Sequence, residues 1–430
     1  MRKLIAALLL IASTQLTVWA GTDHVIVELS PAGQAAAVAG TVGGNVVQAI
    51  PGTNFYLMTV PSAAAFANHP PSGVVAIEQN SAASVSPSGA IGIIRTSAAA
   101  EWYAKQPAMQ LVNAGKAAAV ASGRGIVIAD INSKVDVGHP ALIGHLTGGY
   151  DFVAERMNGS ASLNQSSASF LDQSSAAFLD QSSAAFLDQS SAAFLDQSSA
   201  AFLDQSSASF LDQSSASFLD TANPAHGHGT FCAGLLAALA PNAMIMPLRA
   251  FDDNGNADAF TISRAIRYAA ENGANVINMS FGMTTTSHAV ESAIKFAVNR
   301  GVIVVASAGN NNSIAPQFPA SVKDVLGIAA TDLNDKKASF SNFGPDIFVD
   351  APGVNIISAY PGDYYAIASG TSFSAPFVSA EAALLLSESR RNTDNAIARG
   401  TVNIEGMNPG FKNELGSGRI DMFSAAQSVK

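Results

Sequence analysis

The 430-residue chain has a single cysteine, Cys232, so no intramolecular disulfide can brace it. Charged residues are also scarce, at 13% of the chain, and the balance is acidic, with a formal net charge of −10. That excludes the basic face that nucleic acid requires. Long apolar runs are missing as well. The run Leu4 to Leu10 is soon interrupted by Ser13, Thr14 and Gln15, short of the roughly 20 residues a membrane span needs. With Arg2 and Lys3 ahead of it and Val18-Trp19-Ala20 behind, residues 1–20 read as a cleavable export signal. No other segment is apolar enough to span a bilayer, so stability must come from a core, with bound ions as the other source. The 48% apolar content is ample for a core.

Two stretches of regular pattern are present. Between Gly21 and about Val85 the sequence predicts a small α+β unit. Its strands are expected over 24–29, 45–50, 55–60 and 73–78, with a helical stretch over 35–38. The segment from Asn80 to Arg95, rich in Ser, Ala and Gly, reads as an exposed, cleavable linker. Beyond it strands and helices alternate. Apolar runs at 125–129, 243–249, 276–280 and 302–306 read as buried parallel strands, and 228–239, 261–272, 290–299 and 372–386 as helices. This rhythm predicts an α/β fold whose mostly parallel sheet is covered by helices on both faces. Sites in such sheets form at the carboxyl ends of the strands.

Residues 165–220 interrupt the pattern with seven nearly identical octapeptides, Gln-Ser-Ser-Ala-(Ala/Ser)-Phe-Leu-Asp. They read as an insertion in a surface loop, where added length costs little stability. A period of eight keeps Phe and Asp on fixed faces of a strand, whereas a helix drifts about 80° per copy. Helical pieces, stacked β-arcs and a disordered loop all stay open. Asp172, Asp180, Asp188, Asp196, Asp204, Asp212 and Asp220 are too sparse a ligand set to read as a calcium array.

Four short blocks carry the chemistry. Asp130 follows the apolar strand 125–129, His228 stands in His226-Gly227-His228-Gly229-Thr230, and Ser372 stands in Ser369-Gly370-Thr371-Ser372. Asn310 follows Gly309 at the end of the strand 302–306. A serine hydroxyl becomes a nucleophile when a histidine removes its proton, and that histidine needs an orienting carboxylate. An asparagine amide can hold the developing oxyanion. His226 competes with His228 for the base, and Asp136 with Asp130 for the carboxylate. The turn after Asp130 reads Ile131-Asn132-Ser133-Lys134-Val135-Asp136 and has no glycine, so Asn132 is expected to take a left-handed conformation there.

These blocks, in the order Asp, His, Ser, resemble the subtilisin-type serine proteases. So do His228-Gly229-Thr230-Phe231-Cys232-Ala233-Gly234, Gly370-Thr371-Ser372-Phe373-Ser374-Ala375-Pro376, Val276 to Gly282, Ala338 to Gly344, Ala351-Pro352-Gly353 and Gly418 to Asp421. The likeness runs from about Trp102 to the end, though the turn after Asp130 departs from the family's Asp-(Thr/Ser)-Gly. The resemblance implies a serine endopeptidase with Asp130, His228 and Ser372 as catalytic triad and Asn310 in the oxyanion hole. Ser280, Phe281, Gly282, Ala306, Ser307, Ala308 and Gly309 would line the first pocket and pair with substrate as an added strand. No acidic residue lies in those segments, which favours apolar residues before the cut. The domain reading is a signal at 1–20, an inhibitor-like propeptide and linker at 21–95, and a catalytic domain at 96–430. An unrelated N-terminal module remains the alternative for the second of these. Implied partners are protein or peptide substrates and the chain's own propeptide, acting on a monomer. No organic cofactor is implied; family members often hold structural calcium, but no site can be assigned. Cys232, one helical turn after His228, reads as a buried, inert thiol. The competing function is a binding protein on an impaired protease fold, working through its octapeptide array.

Overall fold

The computed structural model describes residues 23–30, 34–85, 91–158, 225–389 and 392–429. The expected export signal and the octapeptide array lie outside these residues. The chain divides into two units between Gln79 and Asn80.

In the first unit, strands rich in Val and Ile form an antiparallel sheet in the order β2-β3-β1-β4. They are β1 (Asp23–Leu29), β2 (Asn45–Ala49), β3 (Phe55–Val60) and β4 (Val74–Gln79). The alternate residues Val25, Val27 and Leu29 share one face of β1, as the two-residue period of a strand requires. They pack with Val38 and Ala39 of α1 (Ala35–Thr41) and Phe66 of α2 (Ala63–Asn68). The Ser62 hydroxyl caps α2 by accepting from the Ala65 N–H at 3.2 Å.

The second unit is built on an eight-stranded sheet, ordered β16-β15-β14-β12-β7-β10-β8-β9. Its strands are β7 (Val127–Asn132), β8 (Gly149–Asp151), β9 (Arg156–Asn158), β10 (Met244–Arg249), β12 (Val276–Met279), β14 (Ile303–Ser307), β15 (Val325–Thr331) and β16 (Val349–Pro352). All neighbours run parallel except β8 and β9. Three short helices, α3 (Ala99–Lys105), α4 (Pro107–Leu111) and α5 (Ala114–Val120), precede β7. Longer ones follow: α6 (His228–Leu239), α7 (Ala259–Glu271), α8 (His288–Asn299) and α9 (Thr371–Glu388), then the short α10 (Thr393–Arg399) and α11 (Met422–Ser428). Both α6 and α9 consist almost wholly of apolar and small residues, with the buried Glu381 an exception in α9, and are buried along nearly their whole length, the signature of interior helices. This is the α/β architecture the sequence predicts.

The stretch read as an exposed linker departs from that reading. Ala82–Ser84 forms β5, held between β11 (Asn256–Asp258) and β13 (Gly282–Met283). Gly92–Ile94 forms β6, which extends the hairpin of β17 (Ile356–Tyr360) and β18 (Tyr364–Ala368). Small Ala and Ser side chains let such a segment lie flat between two strand edges, whose unpaired backbone groups need partners.

Candidate active site

The apolar run that opens β7 stops at Ala129, but the strand continues to Asn132. Side chains alternate across a strand, so Asp130 and Asn132 share a face, and Asn132 lies closer to the carboxyl end, where the site is. Asn132 is therefore extended strand and does not take the left-handed conformation expected of it. Register with β12 sets Asp130 beside Asn278, whose Nδ2 donates to Asp130 Oδ1 at 2.8 Å. Asn132 Nδ2 donates to both carboxylate oxygens, at 3.3 and 3.4 Å. Burial dominates these bonds and pushes the Asp130 carboxyl up to about 7.

His228 opens α6, behind Gly227 in the left-handed region at φ 83°. A side chain at Gly227 would strike the Tyr360 ring, and one at Gly229 would strike the Ser133 carbonyl, so both glycines permit close approach. The His228 Nδ1 meets Asn132 Oδ1 at 2.7 Å. This corrects the expectation that Asp130 faces the histidine. Asp130 sits one pleat back in the strand and reaches His228 only through Asn132. Nε2 has no hydrogen-bond partner among the described residues, and burial lowers the imidazole to about 4. The rival base, His226, is exposed and packs edge-on against Tyr360 at 5.6 Å. The rival carboxylate, Asp136, accepts from the Gly138 and Gly362 N–H groups at 3.1 and 2.9 Å. Both line a hollow of about 340 Å³ with Lys134, Asp252 and Asp253.

Ser372 is the second residue of α9, behind Gly370. Proline at position 376 has no N–H to donate four residues back, which leaves the Ser372 carbonyl without its helical bond. The Ser280 hydroxyl takes that role at 2.7 Å, and the Cys232 thiol lies at 3.7 Å from the same oxygen. The Ser372 hydroxyl itself donates to the Ser280 carbonyl at 3.3 Å. On either side of it, Thr371 donates from both N–H and hydroxyl to Asn310 Oδ1, each at 2.9 Å, and the Phe373 ring lies 5.6 Å from the His228 ring. Burial and the Asp130 charge raise the Cys232 thiol, which lies 3.9 Å from His228 Nδ1.

The segments expected to line the pocket divide by location. Gly282 opens β13 and pairs with Ser84 of β5, while Asn256 of β11 pairs with Ser84 from the other side. Val85 N–H donates to the Gly255 carbonyl at 3.1 Å. Ala306 and Ser307 instead belong to β14; Ala306 has β12 on one edge and β15 on the other and cannot receive an added strand, and Ser307 pairs with Ile328 of β15. Phe281 is buried against Phe251, with ring centroids 5.1 Å apart, and turns from the channel into the core. Ala308 is buried, and Gly309 has φ 107°. The sequence reading missed Gln317. Its carboxamide fills the space in front of Gly282, where a methyl group would collide with it, and lies beside the Asn342 amide that a methyl group on Gly309 would strike first. The Gln317 N–H is anchored on the Ala308 carbonyl at 2.8 Å. No group of three or more His, Cys, Asp or Glu side chains that could hold a metal occurs among the described residues.

Comparison with known proteins agrees with this fold. The model of the subtilase family matches residues 123–418. Thermophilic serine proteinase from Bacillus sp. (strain AK1) is 42% identical over 212 residues, 46% of this chain and 52% of that protein. Thermitase from Thermoactinomyces vulgaris is 37% identical over 48% of this chain and 77% of its own length. Fervidolysin from Fervidobacterium pennivorans, a keratinolytic enzyme related to subtilisin, superposes with a TM-score of 0.69 at 20% identity. That alignment covers 94% of this chain and 61% of fervidolysin. The chain thus spans about half the length of the first of these relatives.

Proposed function

The chain belongs to the subtilase family, and from that premise we propose that it is an exported, self-processing serine endopeptidase. Ser372 Oγ is the nucleophile. It turns from the Ser280 carbonyl toward His228 Nε2, which takes its proton and returns it to the leaving amine. Attack on the scissile carbonyl gives an acyl-enzyme, which water then hydrolyses. Asn310, whose Oδ1 is engaged by Thr371, is oriented to donate from Nδ2 to the oxyanion. The observation that carries this reading is the geometry around Ser372: its preceding residue holds Asn310 and its following residue lies against His228.

The substrate is an extended peptide added as a strand between β11 and β13. The chain's own β5 lies in that channel, which supports a zymogen whose N-terminal unit inhibits until the segment from Asn80 to Arg95 is cut. Gln317 narrows the first pocket, which favours small residues among the apolar ones expected before the cut. Arg2, Lys3 and the apolar run after them support export to the periplasm or beyond the cell.

The test is labelling of the purified chain with a fluorophosphonate probe, beside Ser372→Ala, with N-terminal sequencing of both. Labelling and processing that both depend on Ser372 support the reading. A folded wild-type chain that neither labels nor matures refutes it and favours a binding role for the protease fold.

A further inference from the structure

We propose that Asn132 is the residue that positions His228, and that Asp130 sets the Asn132 amide so that its oxygen, not its nitrogen, faces the imidazole. This rests on the reading of His228 and Ser372 as base and nucleophile.

Two contacts of the Asn132 side chain specify which end of the amide faces where. The Ser133 N–H donates to Oδ1 at 2.9 Å, and a backbone N–H can only donate. The Asp130 carboxyl accepts from Nδ2 at 3.3 and 3.4 Å, and above about pH 7, where it is ionised, it can only accept. Turning the amide over would set its NH₂ against the Ser133 N–H and its oxygen against the Asp130 carboxylate, losing both contacts at a fully buried site. With Oδ1 fixed on His228 Nδ1 at 2.7 Å, the imidazole proton must sit on Nδ1, and Nε2 keeps its lone pair for the serine proton.

Asp130 is itself held from behind. Asn278 Nδ2 donates to it at 2.8 Å, and Asn278 Oδ1 accepts from the Ser379 hydroxyl of α9 at 2.9 Å, so the Asn278 amide has one orientation too. The relay runs Ser379, Asn278, Asp130, Asn132, His228 across α9, β12, β7 and α6. An amide placed beside a triad histidine with nothing to orient it gives the wrong tautomer and costs about 10⁴ in turnover. Here the carboxylate one pleat behind supplies that orientation. The amide is still neutral, so the imidazolium formed during proton transfer is stabilised by a dipole and a more distant charge.

The experiment compares four full-length chains: wild type, Asp130→Asn, Asn132→Asp, and the exchange Asp130→Asn/Asn132→Asp. Asp130→Asn removes the partner that only accepts, and its kcat is expected to fall about 10-fold or more at unchanged KM. The exchange restores a carboxylate against His228 with an amide behind it, and its kcat is expected to equal or exceed wild type. A merely structural role for the pair would not produce that rescue. In Asn132→Asp two carboxylates share a proton, and its kcat is expected to fall between Asp130→Asn and the exchange. Equal kcat in wild type and Asp130→Asn, or an exchange no better than Asp130→Asn, overturns the proposal.

A second measurement is independent of turnover. In Ser372→Ala protein labelled with ¹⁵N-histidine, His228 is expected to carry its proton on Nδ1, and a share of Nε2–H tautomer is expected once Asp130→Asn is added. An Nε2–H tautomer in Ser372→Ala overturns the proposal even if the chain proves to have no protease activity. The correct tautomer in a chain without Ser372-dependent labelling leaves this inference standing and sinks the protease reading alone.

Discussion

The carbonyl of Ser372 is left over by Pro376, and the fold answers with a hydroxyl from another element. Ser280→Ala removes that hydroxyl, the donor to the Ser372 carbonyl at 2.7 Å and an acceptor from Asn278 Nδ2 at 3.0 Å. A buried acceptor without a partner costs about 1–3 kcal/mol, and the Cys232 thiol at 3.7 Å is too weak and distant a donor to offset it. We expect Ser280→Ala to lose about 2 kcal/mol. At roughly 2 °C per kcal/mol for a unit of this size, the melting temperature would fall by about 4 °C. The assay is calorimetry in a Ser372→Ala background, where self-digestion cannot distort the scan. The decisive arm is Ser280→Ala/Pro376→Ala. An alanine at 376 restores an N–H one turn after the carbonyl, so the double variant should recover most of the loss. Equal losses in the single and double variants, or no loss in either, would refute the account of the proline and the serine as partners in one device.

Four further outcomes follow from the geometry. Gln317→Gly should empty the space before Gly282 and raise the kcat/KM ratio of large apolar over alanyl substrates by about 100-fold; an unchanged ratio removes Gln317 from the pocket. A mercurial on Cys232, 3.9 Å from His228 Nδ1, should abolish turnover, and Cys232→Ala should resist the reagent. The Asp130 carboxyl, raised to about 7 when folded, gives stability present below its unfolded pKa and lost as pH rises toward 7. His228, lowered to about 4, works the other way, losing stability as pH falls from 6.5 toward 4. Asp130→Asn should therefore remove the part of the stability loss between pH 5 and 8 that comes from this carboxyl while lowering kcat, as urea titrations at the two pH values would show. Glu381, buried in α9 with no hydrogen-bond partner among the described residues, has its carboxyl pushed well up by burial and then by Asp421. Glu381→Gln should raise the melting temperature at pH 8 and leave it unchanged at pH 4; a drop at pH 8 would mean that the carboxylate is wanted there.

The parts of this fold that were legible in the sequence share one property, that burial on all sides leaves a continuous record. Strands β10, β12 and β14 are apolar apart from Arg249, Asn278 and Ser307 because helices cover both faces of the sheet, and α6 and α9 lack an exposed polar face because they run through the core. The motif residues Ser372, His228 and Asn310 were conspicuous because glycines and small residues flank them. Where polar atoms meet inside the protein, the record breaks. The run ending at Ala129 looked like the end of β7, yet the strand continues through Asp130 and Asn132 because Asn278 and His228 satisfy them from other elements. Alternation along the strand was the one available clue, since it sets Asn132 on the face of Asp130 and nearer the strand's carboxyl end. Gln317 had no local clue, because it reaches Gly282 and Gly309 from a loop. The Ala-Ser stretch of β5 carried no strand signal either; its conformation comes from the two edges that receive it. A site assembled from neighbours distant in sequence can thus show its serine and histidine in the chain while hiding the group that touches the histidine. Asn132 and Asp130 are two residues apart, and which of them touches His228 is decided by where a strand stops.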